Sequence, residues 1–256
     1  MTAKTQEKIS GLIITLNEER NIESVIRNLD FVDEIIVVDS YSTDKTIEIL
    51  QKHPHVRVVQ NKFENYTTQR NLALDLAQNE WILFLDADER LTPELKQEII
   101  DTLNNNPQAD AYYFYRKLYF KGKPVHFSGW QTDKNIRLFK KSKARYIPDR
   151  LVHEILKVDG KKAVFKHKLI HYSYTDYESY KAKMIYYAHL KAKELFAKNV
   201  RPNWFHFYIK PAYKFLYTYI VRLGFLDGKK GVILCYLNAL SVYKRYPELK
   251  RLHAEK

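Results

Sequence analysis

The sequence predicts an α/β fold in which a mostly parallel sheet is flanked by helices and followed by a C-terminal helical extension. Apolar runs of strand length alternate with helix-like segments over residues 9–104. Such alternation is typical of parallel sheets joined by right-handed crossover helices. From residue 176 onward, aromatic residues recur three and four positions apart, which indicates helices. We therefore expect an α/β domain over 1–175 and a basic, aromatic-rich helical region over 176–256.

Four apolar runs are the predicted parallel strands, and they occupy residues 9–15, 34–38, 56–59 and 81–85. The last of them reads Trp-Ile-Leu-Phe-Leu, five large apolar residues without helical spacing. A continuous run of this kind is typical of a strand that is buried on both faces of a sheet.

Helix-start signals follow three of the four strands. Asn17 is expected to cap a helix that runs to about Leu29, and Ser42 or Thr43 a helix that runs to about Gln51. Residues 66–78 also have helical character. Thr92 provides an N-cap before a proline at the first helical position, so a helix is predicted from there to about Asn104.

The middle of the chain lacks this alternation. Aromatic residues dominate Ala111–Phe120, and β-rich runs follow at Ile136–Phe139 and Ala163–His171. We expect these segments to add strands and loops at the edge of the sheet, where they can form the wall of a site.

The formal charge of +13 is distributed unevenly. Residues 1–100 contain 11 Lys and Arg against 18 Asp and Glu, whereas residues 101–256 contain 32 against 12. A basic second half favours an anionic partner, which can be nucleic acid, a phosphate-bearing substrate or an anionic membrane surface. Solvated helix faces would account for the same lysines without any partner.

Residues 176–256 leave two interpretations open. Their basic, aromatic and amphipathic character is suited to an interfacial membrane contact, but an ordinary helical subdomain would have a similar composition. The longest uncharged stretch here, Gly231–Tyr243, has 13 residues. A membrane-spanning helix needs about 20, so no spanning segment is predicted.

Two features bear on the compartment. The single cysteine, Cys235, excludes an intramolecular disulfide bond and a cysteine-rich zinc site. Residues 1–8 are polar and lack the apolar core of a signal peptide. We expect a cytoplasmic protein, with a peripheral position on the cytosolic face of the inner membrane as an open alternative.

Polar residues stand where three predicted strands end. Thr15 and Glu18 follow the first strand, Asp39 the second, and Asp86 and Asp88 the fourth. The carboxyl ends of parallel strands share one edge of the sheet, where ligands bind in open α/β folds. Two carboxylates one residue apart repel each other unless a cation lies between them, which indicates a hard metal ion, although a solvated turn is the alternative.

This edge predicts a particular kind of ligand. Asp39 can accept hydrogen bonds from a base or a ribose, and a metal at Asp88 can neutralise a diphosphate. No glycine-rich dinucleotide fingerprint and no P-loop motif follows the first strand. Metal and basic side chains are therefore expected to bind the phosphates.

Several motifs together resemble the family 2 glycosyltransferases, which have the Rossmann-like GT-A fold. They are Ile13-Ile14-Thr15-Leu16-Asn17-Glu18, Ile35–Asp44, Gln69-Arg70-Asn71 and the DXD motif Asp86-Ala87-Asp88. Asn135–Phe139 and Leu151–Glu154 resemble the bacterial branch of β-1,4-glucosyltransferases that build the lipopolysaccharide core. The resemblance implies an inverting enzyme that moves a sugar from a nucleotide-sugar, with a UDP-sugar favoured, to an acceptor hydroxyl with the help of Mg²⁺ or Mn²⁺.

The resemblance also implies roles for individual residues. Thr15 and Glu18 would line the nucleotide pocket, and Asp39 would bind the uracil. Asp86 would contact the ribose or belong to the metal site, and Asp88 would be the direct metal ligand. Arg70 would contact the donor phosphates or simply cover the sheet. The acceptor implied is a saccharide, and a lipid-linked one is expected in cell-envelope synthesis.

Inverting transfer requires a general base, because the acceptor hydroxyl loses its proton as it attacks the anomeric carbon. Glu154 is the predicted base, with Asp149 and Asp133 in reserve. His153 beside it is expected to be a buried structural residue. Trp130 can stack on the face of an acceptor sugar, although a position in the core is equally compatible with the sequence.

Two other functions fit parts of the sequence. A sugar nucleotidyltransferase also uses paired acids on an α/β sheet, but it usually carries a glycine- and lysine-rich loop that residues 16–20 lack. A basic nucleic-acid-binding protein would explain the positive second half but leaves the converging acids unexplained, since these repel phosphate. We therefore expect no nucleic-acid partner.

Overall fold

The computed structural model describes residues 7–147, 155–174 and 176–255. These residues form two compact units. The first unit contains residues 7–116, 134–147 and 155–171, and the second contains residues 117–133, 172–174 and 176–255. The boundary predicted near residue 175 stays a prediction.

Parallel strands make up one half of the main sheet in the first unit. In the order β3-β2-β1-β4 they are β1 (Ile9–Thr15), β2 (Glu34–Asp39), β3 (Val56–Gln60) and β4 (Trp81–Asp86). Most side chains of β1, β2 and β4 are buried on both faces. This explains why these strands appear in the sequence as unbroken apolar runs.

The helices of the first unit pack on both faces of these strands. They are α1 (Ile22–Asn28), α2 (Thr46–Leu50), α3 (Tyr66–Leu76) and α4 (Pro93–Asn104). The predicted cap of α4 is confirmed, because the Thr92 hydroxyl accepts a hydrogen bond from the Leu95 N–H at 3.2 Å. Leu95, Ile99 and Leu103 then place one face of α4 in the core.

The predicted starts of α1 and α2 are wrong. Asn17 has a left-handed backbone with φ of 55°, and its side chain accepts a hydrogen bond from Thr43 N–H instead of capping a helix. The helix begins only at Ile22. Ser42 and Thr43 likewise contact the 15–18 loop, and α2 begins at Thr46. Contacts between loops have overridden the local capping signals.

The other half of the sheet is mostly antiparallel and continues from β4 in the order β8-β6-β12-β5. The strands are β5 (Glu89–Arg90), β6 (Ala111–Phe120), β8 (Lys134–Lys140) and β12 (Leu169–Tyr174). The short strands β7 (Lys123–Pro124) and β11 (Lys162–Val164) pair with β6, and β9 (Ala144–Ile147) pairs with β10 (Ile155–Val158). The strands expected from the β-rich middle segments are present.

The second unit is mainly helical. Its long helices are α5 (Tyr177–Ala197) and α7 (Lys229–Ala254). Between them, α6 (Lys210–Leu216) has a π-helical turn at each end, Phe205–Ile209 and Tyr217–Val221. Among the described residues, no helix is both long and apolar enough to cross a bilayer. The predicted fold class, an α/β fold with helices on a central sheet and a C-terminal helical extension, is confirmed.

Candidate active site at the strand ends

The register of the parallel strands brings the predicted site residues to one edge of the first unit. Thr15 lies opposite Asp39 across the β1–β2 pair, and Ile14 lies opposite Asp86 across the β1–β4 pair. The carboxyl ends of β1, β2 and β4 therefore end side by side, as in the ligand-binding crevice of open α/β sheets.

Asp39 is completely buried at the end of β2. One carboxylate oxygen accepts hydrogen bonds from Ser42 N–H at 2.9 Å and from Gln60 Nε2 at 3.2 Å, and the other accepts one from the Ser42 hydroxyl. Tyr41, inside this turn, has a left-handed backbone with φ of 62° and an exposed ring. Asp39 thus fixes the turn that follows β2.

The loop after β1 is tied to the same turn. Asn17 N–H donates to the Ser42 hydroxyl at 2.8 Å, and Glu18 N–H donates to the Thr46 hydroxyl at 2.8 Å. The Glu18 carboxylate accepts a hydrogen bond from Asn21 Nδ2 at 2.7 Å. Thr15 is buried, and its hydroxyl has no hydrogen-bond partner among the described residues. A buried hydroxyl of this kind is suited to a ligand contact.

Asp86 lies between two arginines at the end of β4. One carboxylate oxygen accepts a hydrogen bond from Arg70 Nη2 at 2.6 Å, and the other accepts one from Arg137 Nη2. Burial alone would raise the pKa of the Asp86 carboxyl, but the charges of Arg137 and Arg70 outweigh it and hold this pKa well below its usual range. Asp86 is therefore ionised.

Glu89 completes this ionic cluster. It is fully buried and accepts hydrogen bonds from Arg137 Nη2 at 2.7 Å and from the Asp86 N–H at 3.1 Å, with Arg116 Nη1 at 3.5 Å. Burial acts to lower the pKa of Arg137, but the charges of Asp86 and Glu89 outweigh this effect and raise the pKa above its usual value. The carboxylate of Glu89 thus anchors Arg137 next to Asp86.

Asp88 lies beside a histidine. Its Oδ2 is 3.3 Å from Nε2 of His171, and His171 pairs with Glu89 across the β5–β12 ladder. His171 is buried, and its Nδ1 has no hydrogen-bond partner within the described chain. A carboxylate oxygen and an imidazole nitrogen are both ligands of Mn²⁺-like cations. Within the described chain, no group of three or more His, Cys, Asp or Glu residues could hold a metal by itself.

The other predicted residues are placed as follows. Arg70 lies on α3, with its guanidinium 4.7 Å above the ring of Phe84. Trp130 and Asp133 lie in the second unit, where Trp130 packs on the apolar cluster around Phe120. Asp149, His153 and Glu154 lie outside the described residues, so the predicted base and its first reserve stay predictions.

The sequence interpretation did not assign roles to Arg137 and His171. Each had a signal, because each lies next to apolar residues within a strand: Arg137 stands between Ile136 and Leu138 in β8, and His171 follows Ile170 in β12. A charged or polar side chain at a buried strand position usually has a partner. That partner lies far away in sequence and could not be identified from the strand itself.

Comparisons with known proteins identify the family. The model of Glycosyl transferase family 2 matches residues 10–170. The lipopolysaccharide core biosynthesis glycosyltransferase LpsC of Rhizobium meliloti (strain 1021) is 26% identical over 93% of this chain and 93% of its own length. An uncharacterized glycosyltransferase of Rickettsia bellii (strain RML369-C) is 30% identical, over 98% of this chain and 89% of that protein.

A solved structure also resembles the chain. The crystal structure of residues 1–349 of S. aureus TarS aligns with a TM-score of 0.49 and 16% identity, covering 97% of this chain and 92% of that one. The family match covers more than half of the chain, and the Rickettsia relative is similar over nearly all of it. The chain therefore belongs to glycosyl transferase family 2.

Proposed function

We propose that this enzyme transfers a sugar from a UDP-sugar to a hydroxyl group of a saccharide acceptor during synthesis of a cell-envelope glycan. The observation that carries the proposal is the edge of the first unit, where Asp88 with His171 and Asp86 with its arginines meet the buried Thr15 and Asp39. The name of LpsC supports lipopolysaccharide core assembly. A lipid-linked acceptor is part of our proposal. We assign the chemistry to residues 1–175.

Asp88 and His171 are the residues that would hold Mg²⁺ or Mn²⁺. The donor set fits, because a carboxylate oxygen and a buried imidazole lie 3.3 Å apart and leave further ligand positions to phosphate oxygens and water. When bound, the ion would offset the negative charge that develops on the departing diphosphate. Both carboxylate oxygens of Asp86 accept hydrogen bonds from arginines, which favours contact of Asp86 with the ribose over direct metal ligation.

The donor nucleotide is assigned to the loops after β1 and β2. Thr15 lies opposite Asp39 at the strand ends, Glu18 lies in the loop after β1, and Asp39 holds the turn whose Tyr41 ring is exposed. In this proposal Asp39 recognises the uracil, for which it must share or exchange one of its present donors. Arg70 places positive charge next to Asp86 and assists in binding the phosphates.

Transfer is proposed to proceed with inversion in a single displacement. Glu154 removes the proton of the acceptor hydroxyl as the oxygen attacks the anomeric carbon and the bond to the diphosphate breaks. Asp149 and Asp133 remain the reserve bases, and Trp130 the stacking platform for the acceptor sugar. The peripheral position at an anionic membrane surface belongs to the same proposal, since the acceptor would be presented there.

Substitution of Asp88 tests the metal and donor assignments together. Wild-type enzyme is expected to gain thermal stability with a UDP-sugar plus Mn²⁺, because a ligand that binds only the folded state stabilises it by mass action. Asp88→Ala should lose this shift and lose transfer by at least about 10²-fold. Asp75→Ala is the matched control, since Asp75 forms an exposed pair with Arg145. Near-normal turnover by Asp88→Ala would refute the metal site.

Substitution of Glu154 tests the base. Glu154→Gln should retain the Mn²⁺-dependent thermal shift but lose transfer by about 10²–10⁴-fold, the usual contribution of general-base catalysis. An active Glu154→Gln enzyme would transfer the role to Asp149 or Asp133, whose Asn variants would then be measured. Product anomeric configuration, read by NMR, determines whether transfer inverts.

A further inference from the structure

The second unit exposes an unusual amount of apolar surface between Trp204 and Leu226. Twelve of the 22 large apolar or aromatic side chains that are exposed in the described chain lie in this segment. Trp204, Tyr208, Tyr213 and Val221 are each more than 60% exposed. A contiguous apolar patch on a protein surface usually marks an interaction site.

These side chains form a stripe along one side of the helical segment. Exposed residues recur as adjacent pairs every four positions, at 204/205, 208/209, 212/213, 216/217 and 220/221. In a regular α-helix a four-residue repeat drifts by about 40° per repeat. The π-helical turns at Phe205–Ile209 and Tyr217–Val221 hold more residues per turn and reduce this drift, so that the stripe stays on one face.

The opposite side of the segment is packed within the unit. Phe207 packs on Tyr246 of α7 with ring centroids 6.1 Å apart, and Thr218 is buried with its hydroxyl bonded to the Lys214 carbonyl at 2.8 Å. The helix is thus anchored by one face, and the apolar stripe is its other face. We call residues 204–226 the exposed apolar segment.

Cations lie within the exposed apolar segment, next to the stripe. Lys210, Lys214 and Arg222 lie four and eight positions apart along it. Residues 199–247 contain eight Lys and Arg and a single acid, Asp227. That acid is buried and is engaged by the N–H groups of His126 and Phe127, at 2.9 Å each. The surface around the stripe therefore carries an uncompensated positive charge.

Lys214 lies close to Arg245 of α7, and the two form a cluster of cations. Burial and the charges of Arg245 and Arg222 lower the pKa of the Lys214 amine. In the described chain no carboxylate lies within ion-pair distance of Lys214 or Arg245, and Nε of Arg245 is buried without a hydrogen-bond partner. Clustered cations of this kind are stabilised by external anions.

We propose that the exposed apolar segment binds the surface of an anionic lipid bilayer, lying in the plane of the interface. Its apolar side chains enter the boundary between head groups and acyl chains, its tyrosines and tryptophan occupy the interface, and its flanking cations contact lipid phosphates. A second copy of the chain is disfavoured as the occupant, because two such faces would bring like charges together. This inference rests on the peripheral membrane position that the proposed function includes, and it assigns that position to a segment. Lipid binding needs neither donor nor acceptor, so a failed vesicle test would leave the sugar-transfer assignment standing.

Sedimentation of the full chain with vesicles tests the proposal. Wild-type protein is expected to pellet with vesicles rich in phosphatidylglycerol and much less with pure phosphatidylcholine. Three substitutions together, Tyr213→Ser, Ile220→Ser and Val221→Ser, should weaken partitioning at least about tenfold. The matched control replaces three side chains that are exposed elsewhere, with Phe63→Ser, Tyr66→Ser and Tyr186→Ser, and should partition like the wild type. Circular dichroism verifies that each variant is folded.

Charge and fluorescence give independent readouts. Lys210→Gln with Lys214→Gln should reduce binding to anionic vesicles and weaken its dependence on salt. The emission of Trp204, which is 68% exposed, should shift to shorter wavelength on lipid addition, and Trp204→Phe should lose that shift while still binding. Equal partitioning of the triple variant and its control would overturn the proposal. So would light scattering that shows a dimer abolished by the triple variant, with no lipid binding.

Discussion

The two units differ in how far their apolar side chains are buried. In the first unit, residues such as Ile13 and Ile36 are completely buried between the sheet and its helices. In the second unit, the exposed apolar segment presents residues of the same type to solvent, with Ile220 at 56% exposure. Apolar content alone therefore does not locate a core. Whether an apolar residue is buried depends on the side of the helix or strand on which it lies.

Charges show the same contrast. The first unit places arginines against carboxylates in its interior, around Asp86 and Glu89. The second unit leaves Lys214 and Arg245 without a carboxylate partner in the described chain. Internal compensation is suited to a site that must keep one geometry for chemistry, whereas uncompensated charge is suited to a surface that binds an external anion.

The largest effect is expected at the buried ionic cluster. Arg137→Leu leaves the fully buried Glu89 carboxylate with the Asp86 N–H at 3.1 Å and a 3.5 Å contact to Arg116, and it removes one of the two arginine partners of Asp86. Breaking a buried pair in this way should lower the free energy of unfolding by about 3–5 kcal/mol, measured by urea denaturation.

The matched control is an exposed pair of the same chemistry. Arg145 and Asp75 form an ion pair whose side chains are both more than half exposed. Arg145→Leu should change the free energy of unfolding by about 0–1 kcal/mol, because solvent screens such pairs. Equal losses in the two variants would mean that the cluster around Asp86 contributes no more than a surface pair does.

A smaller effect is expected at two helix N-caps, one in each unit. Thr92 caps α4 and Asp176 caps α5, and each side chain accepts a backbone N–H three residues later. Thr92→Ala and Asp176→Ala should each cost about 1 kcal/mol, the usual loss on removing an N-cap. Amide hydrogen exchange in the first turn of each helix measures the effect, and Thr92→Ser should restore protection. An unprotected first turn in the wild-type helices would contradict it.

Where the determinants are local, the sequence interpretation agrees with the structure. The strand predicted at residues 9–15 and the helix that ends at Asn104 have the observed bounds, because apolar periodicity and the Thr92-Pro93 cap act within a few residues. The fold class followed from these elements. The helix starts near Asn17 and Ser42 failed because those residues bond to each other's loops, 25 and 26 positions apart.

For the same reason, the ionic partners of the site residues could not be identified from the sequence. Asp86 and Arg137 are 51 residues apart, and Glu89 and Arg137 are 48 apart. Only the pairing of β8 and β12 into the sheet brings Arg137 and His171 to the end of β4. The sequence could locate the carboxylates, since they directly follow a strand, but the residues that orient them depend on the order of strands.

The smallest effect is expected when the same substitution is made at a buried position of the first unit and at an exposed position of the second. Ile36→Val removes a methylene group from a completely buried position and should cost about 0.5–1.5 kcal/mol in free energy of unfolding. Ile220→Val removes the same group from the exposed apolar segment and should change stability by less than about 0.5 kcal/mol. Urea denaturation of both variants gives the comparison. If Ile220→Val costs as much as Ile36→Val at high protein concentration but not at low concentration, a second copy covers the stripe and the lipid proposal fails. If it is neutral in solution yet weakens binding to anionic vesicles, the methylene group is buried only at the membrane.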